Sequence, residues 1–330
     1  MLDGMLLGLE TAFTFQNMFF AAFGCFIGTI IGMLPGLGPM SVVAIMIPVS
    51  LQIGDPSTTL ILLAGVYYGA IFGGSTSSIL INAPGEAAVV ATSFDGYPMA
   101  RNGQAGKALT IAAISSFSGG TIGVVLLMFF APALASFAIL FWSAEYFALM
   151  LVGLSAISAF AGKGKVLKAI MMTILGLMLA TVGESSLFQA PRFTLGIMDL
   201  QSGISFVTLA MGLFAVPEAF FLAIDKIRGE KSGSKQSQEI NNLRINRKEA
   251  KAIAPVIGRQ SIQGFLIGVM PGTGATIASF LGYAVERNLA SPEERKEFGK
   301  GSIKGLSAPE TANNAASTGS FVPLLTLGIP

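Results

Sequence analysis

Residues 31–38 read IGMLPGLG, and residues 267–274 read IGVMPGTG. Most positions are identical, and one more exchanges Leu for Met. Each copy follows an apolar run with glycine at four-residue spacing: Gly24, Gly28 and Gly32 before the first, Gly264 and Gly268 before the second. Proline removes a backbone donor and glycine relaxes the chain, so Pro-Gly-x-Gly inside such a run opens a helix. The apolar arms are about 17 and 14 residues long around the first break and about 16 and 12 around the second. None reaches the roughly 20 residues of a spanning helix. Each break is therefore predicted to form a helical hairpin whose tip lies within a membrane, where unwound backbone survives only if buried in protein or facing a water-filled cavity.

Composition supplies the membrane. The 330 residues are 52% hydrophobic and only 12% charged, with a mean hydropathy of +0.70, about half the usual charged share of roughly 25%. No Asp, Glu, Lys or Arg occurs from Thr11 to Gly54, Pro56 to Gly85 or Ala108 to Ala144. A water-soluble domain cannot hide so much apolar chain. The predicted fold class is all-α: a polytopic integral membrane protein with two inverted repeats, each containing a Pro-Gly-broken hairpin. The chain has no histidine, which excludes Ser-His and Cys-His dyads and imidazole relays. Cys25, the single cysteine, reads as a small buried hydrophobe. Met1 to Glu10 lacks the basic start of a cleaved signal peptide.

Basic residues mark cytoplasmic loops. Asp225 to Lys251 carries eight Lys/Arg against four Asp/Glu and reads as a solvated central linker. The predicted division is residues 1–224 as the first repeat with additional helices, 225–254 as the cytoplasmic linker, and 255–330 as the start of the second repeat. Lys163, Lys165 and Lys168 mark another inner loop, and Arg287 to Lys304 a third. Gly183 to Gly203 belongs outside. Spanning segments are expected near Thr58 to Ile81 (inward), Ala108 to Phe130 (outward), Ala144 to Phe160 (inward), Val166 to Val182 (outward) and Ile204 to Ile224 (inward). Asn82 to Lys107 is then a cytoplasmic loop, and Asp55-Pro56 caps the segment that follows it in sequence. This topology points the two hairpins in opposite directions.

Paired, interrupted, short segments at equivalent places in two halves point to a secondary-transporter site near the bilayer midplane. The candidate substrate- or ion-binding residues are Pro35, Gly36 and Gly38 at the first break and Gly272, Thr273 and Gly274 at the second. Ser75, Thr76, Ser77, Ser78 and Asn82 join them in the first half, and Asn313, Asn314, Ser317 and Thr318 in the second. Hydroxyls, amides and half-helix N-termini together hold a carboxylate, while unwound carbonyls can coordinate Na+. Small-residue and Ser/Thr patterns also serve plain helix packing. Ser307 to Glu310 has capping-box spacing, so Glu310 reads as a helix start rather than an intramembrane acid. Ser291 to Glu294 reads likewise, Glu145 and Glu218 read as interfacial, and Asp95-Gly96 as a turn. A serine enzyme built on Ser75 or Ser77 lacks a base, and a passive scaffold has no need of two inverted hairpins. No GxxxxGK[ST] loop is present for ATP.

The stretches GMLPGLGP, YYGAIFGGSTSSILINAPGEAA, FDGYPMARNGQAGKAL, EYFALMLVGL, PRFTLGI, MPGTGATIASFLGYAVER and FGKGSIKGLSAPETANNAA closely resemble the large membrane subunit of tripartite tricarboxylate transporters, TctA. The resemblance runs from about Met1 to Pro330. It implies import of citrate or a related tri- or dicarboxylate across the bacterial inner membrane, driven by Na+ or H+ and needing no cofactor. It also implies two partners, a small TctB-like membrane subunit and a periplasmic TctC-like solute-binding protein. Family members continue past the LGIP at which this sequence stops, so a final group of helices is expected to be missing and the second repeat truncated.

Overall fold

The computed structural model describes residues 2–34, 37–138, 166–185, 190–205, 242–270 and 274–327, with scattered positions between them. The described chain is helical apart from loops and one two-residue antiparallel pair, β1 (Gly183–Glu184) with β2 (Pro191–Arg192). Helix α1 (Leu2–Ala12) leads into α2 (Phe15–Gly32), whose first turn is capped by Thr14. α2 stops at the first break, and α3 (Pro39–Ser50) restarts with Gly38 as N-cap and proline in its first position. α4 (Pro56–Ile81) begins as the sequence predicts: the Asp55 carboxylate accepts the Thr58 N–H at 2.8 Å. It ends at Asn82, whose φ of 54° is left-handed.

The region expected as a cytoplasmic loop, Asn82 to Lys107, is mostly helical. A 3-10 turn (Ala87–Val89) leads into α5 (Val90–Met99), and Asp95-Gly96 lies inside that helix rather than in a turn. The local Asp-Gly preference is overridden by tertiary contacts of the Asp95 carboxylate, described below. A kink at Asn102 and Gly103, where Gly103 has φ +74°, joins it to α6 (Ala105–Ala138). α7 (Val166–Ala180) lies within the stretch expected at Val166 to Val182, and is apolar but shorter than the helices long enough to cross a membrane. The segments expected at Ala144 to Phe160 and Ile204 to Ile224, and the bulk of the basic linker, fall largely outside the described residues.

α8 (Arg247–Val269) is started by a capping box between Asn246 and Glu249, so the last residues of the expected linker already belong to a helix. α8 ends at the second break, and α9 (Gly274–Leu289) follows. α10 (Pro292–Arg295) has the predicted Ser291/Glu294 capping box. α11 (Ile303–Gly319) and α12 (Phe321–Leu327) complete the described chain.

The same helix pair occurs in both halves, and glycine makes it possible. A Cβ on Gly28 or Gly32 would meet the carbonyl oxygens of Val66 and Ala70 at 2.2 and 2.3 Å, and one on Gly73 would meet that of Thr29 at 2.2 Å. α2 and α4 therefore touch backbone to backbone. Later in the chain a Cβ on Gly264 or Gly268 would meet the carbonyl oxygens of Ala312 and Ala316 at 2.3 and 2.0 Å, and one on Gly319 would meet that of Phe265 at 2.3 Å. α8 and α11 thus approach as closely as α2 and α4, through fewer glycines. Close approach through small residues is the ordinary way helices associate in lipid, where burial of apolar surface gives no drive.

Among the described residues the outer faces of the helices are largely apolar, and a set of polar side chains is buried within the apolar interior. On α2 the glycines face α4 while Phe15, Phe19, Phe23 and Phe26 are exposed, and on α6 Phe117 is 76% exposed. Ser75, Ser116, Glu310 and Asn313 are buried. Such an apolar surface suits hydrocarbon rather than water. Among the described residues three helical stretches, Phe15–Gly32, Pro56–Ile81 and Ala87–Phe130, are long and apolar enough to cross a membrane, the first of them being the arm before the first break that the sequence reading held too short to span. Cys25 lies on the exposed side of α2, contrary to its reading as a buried hydrophobe, because glycines occupy the packed face.

Candidate functional site

The middle of α11 carries the least expected feature of the fold. The Ser307–Glu310 spacing does not start a helix: Ser302 is the N-cap, its side chain accepting the Gly305 N–H, and Glu310 lies two turns inside. Its side chain is 0% exposed. Ser75 of α4 donates to Oε1 and Oε2 at 2.8 and 3.0 Å, Ser116 of α6 donates to Oε2 at 2.7 Å, and Thr92 of α5 donates to Oε1 in a short hydrogen bond. Beside this cluster Ser115 and Ser307 share a hydrogen bond of 2.7 Å. Four helices thus meet at one carboxylate. Glu310 makes no ion pair among the described residues.

The predicted site residues divide. Ser75 joins the Glu310 cluster. Thr76 returns its hydroxyl to the Phe72 carbonyl at 3.1 Å, and Ser77 and Ser78 return theirs to the Gly74 carbonyl at 3.0 and 2.8 Å. Asn313 accepts from Asn314 Nδ2 at 2.7 Å, and its own Nδ2 is buried with no protein partner, as is Thr311 Oγ1. Asn314 also reaches the Glu310 carbonyl at 2.9 Å. Ser317 bonds the Asn313 carbonyl at 2.8 Å, while Thr318 bonds Tyr68, tying α11 to α4. Gly38 caps α3, its missing Cβ 3.6 Å from the Glu86 Cβ, and Gly274 has φ +60°. Pro35, Gly36, Gly272 and Thr273 lie outside the described residues. Asn82 borders a cleft of ≈ 410 Å³ with Tyr97, Tyr283, Arg287 and Phe298, apart from the α11 groups.

Thr92, Ser116, Glu310 and Glu86 were not singled out by sequence as site residues. Glu86, between α4 and the 3-10 turn, has a buried carboxylate oxygen without a partner and lies close enough to Glu310 for the two acids to repel. The signal was present in the APETANNAAS run, an acid among small and amide residues, but capping-box spacing gave it a commoner explanation.

A second carboxylate organises the start of α11. Asp95 Oδ1 accepts the backbone N–H groups of Gly299, Lys300, Gly301 and Ser302 at 2.9, 3.1, 2.8 and 2.7 Å. Gly305 makes room, since a Cβ there would come 2.1 Å from Asp95 Oδ2. At the entrance to α8, Lys107 of α6 pairs with Glu249 at 2.8 Å, and this hydrogen bond holds the Glu249 carboxyl below its usual range. Among the described residues no group of three or more His, Cys, Asp or Glu is arranged to hold a metal ion.

The chain matches the Tripartite tricarboxylate transporter TctA family over residues 18–330. It belongs to the TctA family. It is 44% identical, over all 330 residues, to an "Uncharacterized 52.8 kDa protein in TAR-I ttuC' 3'region" of Agrobacterium vitis, covering 100% of this chain and 64% of that relative. The TctA chain described here therefore spans less than two thirds of that relative's length. A second Agrobacterium vitis protein, "Uncharacterized protein in TAR-II ttuC' 3'region", is 57% identical over 67 residues, covering 20% of this chain and 27% of its own. No solved structure matches the chain.

Proposed function

We propose that the complete subunit imports citrate or a related tri- or dicarboxylate across the bacterial inner membrane, driven by a cation gradient and supplied by a periplasmic solute-binding protein. A small TctB-like membrane subunit completes the assembly. The observation that carries the reading is the junction of the two glycine-packed helix pairs: α4 and α11 meet through Ser75–Glu310 and Tyr68–Thr318. Membership of the TctA family supports it. A site placed between two similar halves is where a carrier needs it, because rocking one half against the other changes the side from which the site is reached. In this reading the two breaks face opposite sides of the membrane. The buried Nδ2 of Asn313 and hydroxyl of Thr311, both unpartnered, are donors suited to a carboxylate. No Lys or Arg occurs in α11 beyond Lys304, so the anion is held by neutral donors.

The test is uptake of labelled citrate into cells expressing the complete subunit with both partners. Uptake that disappears when the binding protein is omitted is the expected result. Equal uptake without the binding protein contradicts the tripartite arrangement. Absence of citrate uptake, with uptake of another carboxylate, moves the substrate within the class.

A further inference from the structure

We infer that Glu310 is the proton-carrying group of this transporter: its carboxyl, enclosed by the hydroxyls of Ser75, Thr92 and Ser116, takes up and releases the proton whose gradient drives import. The inference rests on the transport reading above and adds to it the coupling ion and the atoms that hold it.

Burying an ionised carboxylate without a cation costs several kcal/mol even after relaxation, and intramembrane acids are kept where they move ions or protons. Among the described residues, the charged groups of the surrounding helices are engaged elsewhere or form no ion pair with Glu310. Lys107 of α6 pairs with Glu249, and Arg259 of α8 pairs with Glu286 at 2.6 Å. Arg287 of α9 lines the cleft by Asn82, Asp95 of α5 is engaged by the Gly299–Ser302 amides, and Tyr68 of α4 bonds Thr318. Glu86, which interacts with Glu310 through its charge, is a second acid and not a cation.

The separations favour a proton over a metal cation. The Ser75 and Ser116 oxygens stand 2.7 to 3.0 Å from the carboxylate oxygens, the spacing of hydrogen bonds with hydrogen between the atoms. A hard cation at this place would take the lone pairs of these hydroxyls, each oxygen about 2.3–2.6 Å from it as for Ca2+, where the structure has their hydrogens directed at the carboxylate. The cluster is already closed by hydrogen bonds.

Coupling follows from where the donors come from. Ionised Glu310 accepts three charge-assisted hydrogen bonds, one from each of α4, α5 and α6, and so clamps α11 to them. When a proton from the outer water adds to a carboxylate oxygen, the charge is lost and that oxygen becomes a donor. The clamp weakens, and α11 is free to shift. Release of the same proton to the cytoplasm restores the clamp. Protonation and helix position are thus linked.

The complete TctA subunit, reconstituted in proteoliposomes with its two partners, is tested for citrate accumulation after an external acid jump and for citrate exchange at equal pH on both sides. Wild type is expected to accumulate citrate under the acid jump, and Glu310→Gln to lose accumulation at least tenfold while retaining exchange. Proton-driven accumulation by Glu310→Gln overturns the inference. If Glu310→Gln also fails to exchange, Thr92→Val and Ser116→Ala decide: each removes a donor to the ionised form and is expected to move the pH profile of uptake upward by about one unit. An unmoved profile in both overturns the assignment. Wild-type accumulation that follows Na+ and ignores pH overturns the proton while leaving the transporter standing. Wild type that moves no carboxylate under any gradient fails the transport reading itself.

Discussion

At the scale of single residues, two carboxylates hold α11. Asp95 satisfies four backbone N–H groups that lie at the start of the helix, and an unsatisfied buried donor costs about 1–3 kcal/mol. Asp95→Ala is expected to lower the melting temperature of the purified subunit sharply, whereas Asp95→Asn, which keeps the acceptor oxygen, loses less. Equal melting of both variants and wild type would show that the amides find other partners. Sequence misread both acids for related reasons. Asp-Gly favours a turn and Ser-x-x-Glu favours an N-cap only while nothing distant competes. Here the Gly299–Ser302 amides claim Asp95 from two hundred residues away, and Ser302 caps α11 before Ser307 can. Asp55 and Ser291 were legible because their partners, Thr58 and Glu294, are three residues away.

At the scale of elements, the glycine-lined pairs α2–α4 and α8–α11 each rest on close backbone contacts. Gly28→Ala and Gly268→Ala place methyl groups 2.2 and 2.0 Å from carbonyl oxygens of the facing helix. Each is expected to cost at least the roughly 1–3 kcal/mol of overpacking, read as lost folded protein in detergent. Gly258→Ala on the same α8 meets nothing within 4 Å and is expected to be neutral or to stabilise by about 1 kcal/mol through helix propensity. A uniform response of all three would mean that the close contacts do not carry the pairing. The Lys107–Glu249 link between α6 and α8 behaves differently. Because the Glu249 carboxyl is held below its ordinary range, the link contributes fully at neutral pH and is lost as pH falls through that lowered value. Lys107→Met is accordingly expected to flatten the acid side of a melting-temperature profile. The breaks and glycine spacing were readable in sequence because they are local. The partner faces were not, since which helix meets which is a property of the whole packing.

At the scale of the whole molecule, composition and charge placed the chain in a membrane, and the outward phenylalanines with inward Ser, Asn and Glu agree. Orientation is open to direct test: a cysteine replacing Ser234 in the basic linker is expected to react with an impermeant thiol reagent only from the cytoplasmic side. What sequence could not supply was the convergence of α4, α5, α6 and α11 on one carboxylate, which joins residues 194 to 235 positions apart. The central claim is that this junction lies on a path opened alternately to the two sides. It is tested most directly by Asn313→Cys in a Cys25→Ser background of the complete subunit, labelled from outside or inside with and without binding protein and citrate. The expected result is reactivity from one side at rest that transfers to the other during turnover; reactivity from both sides at once, or from neither under any condition, would contradict it.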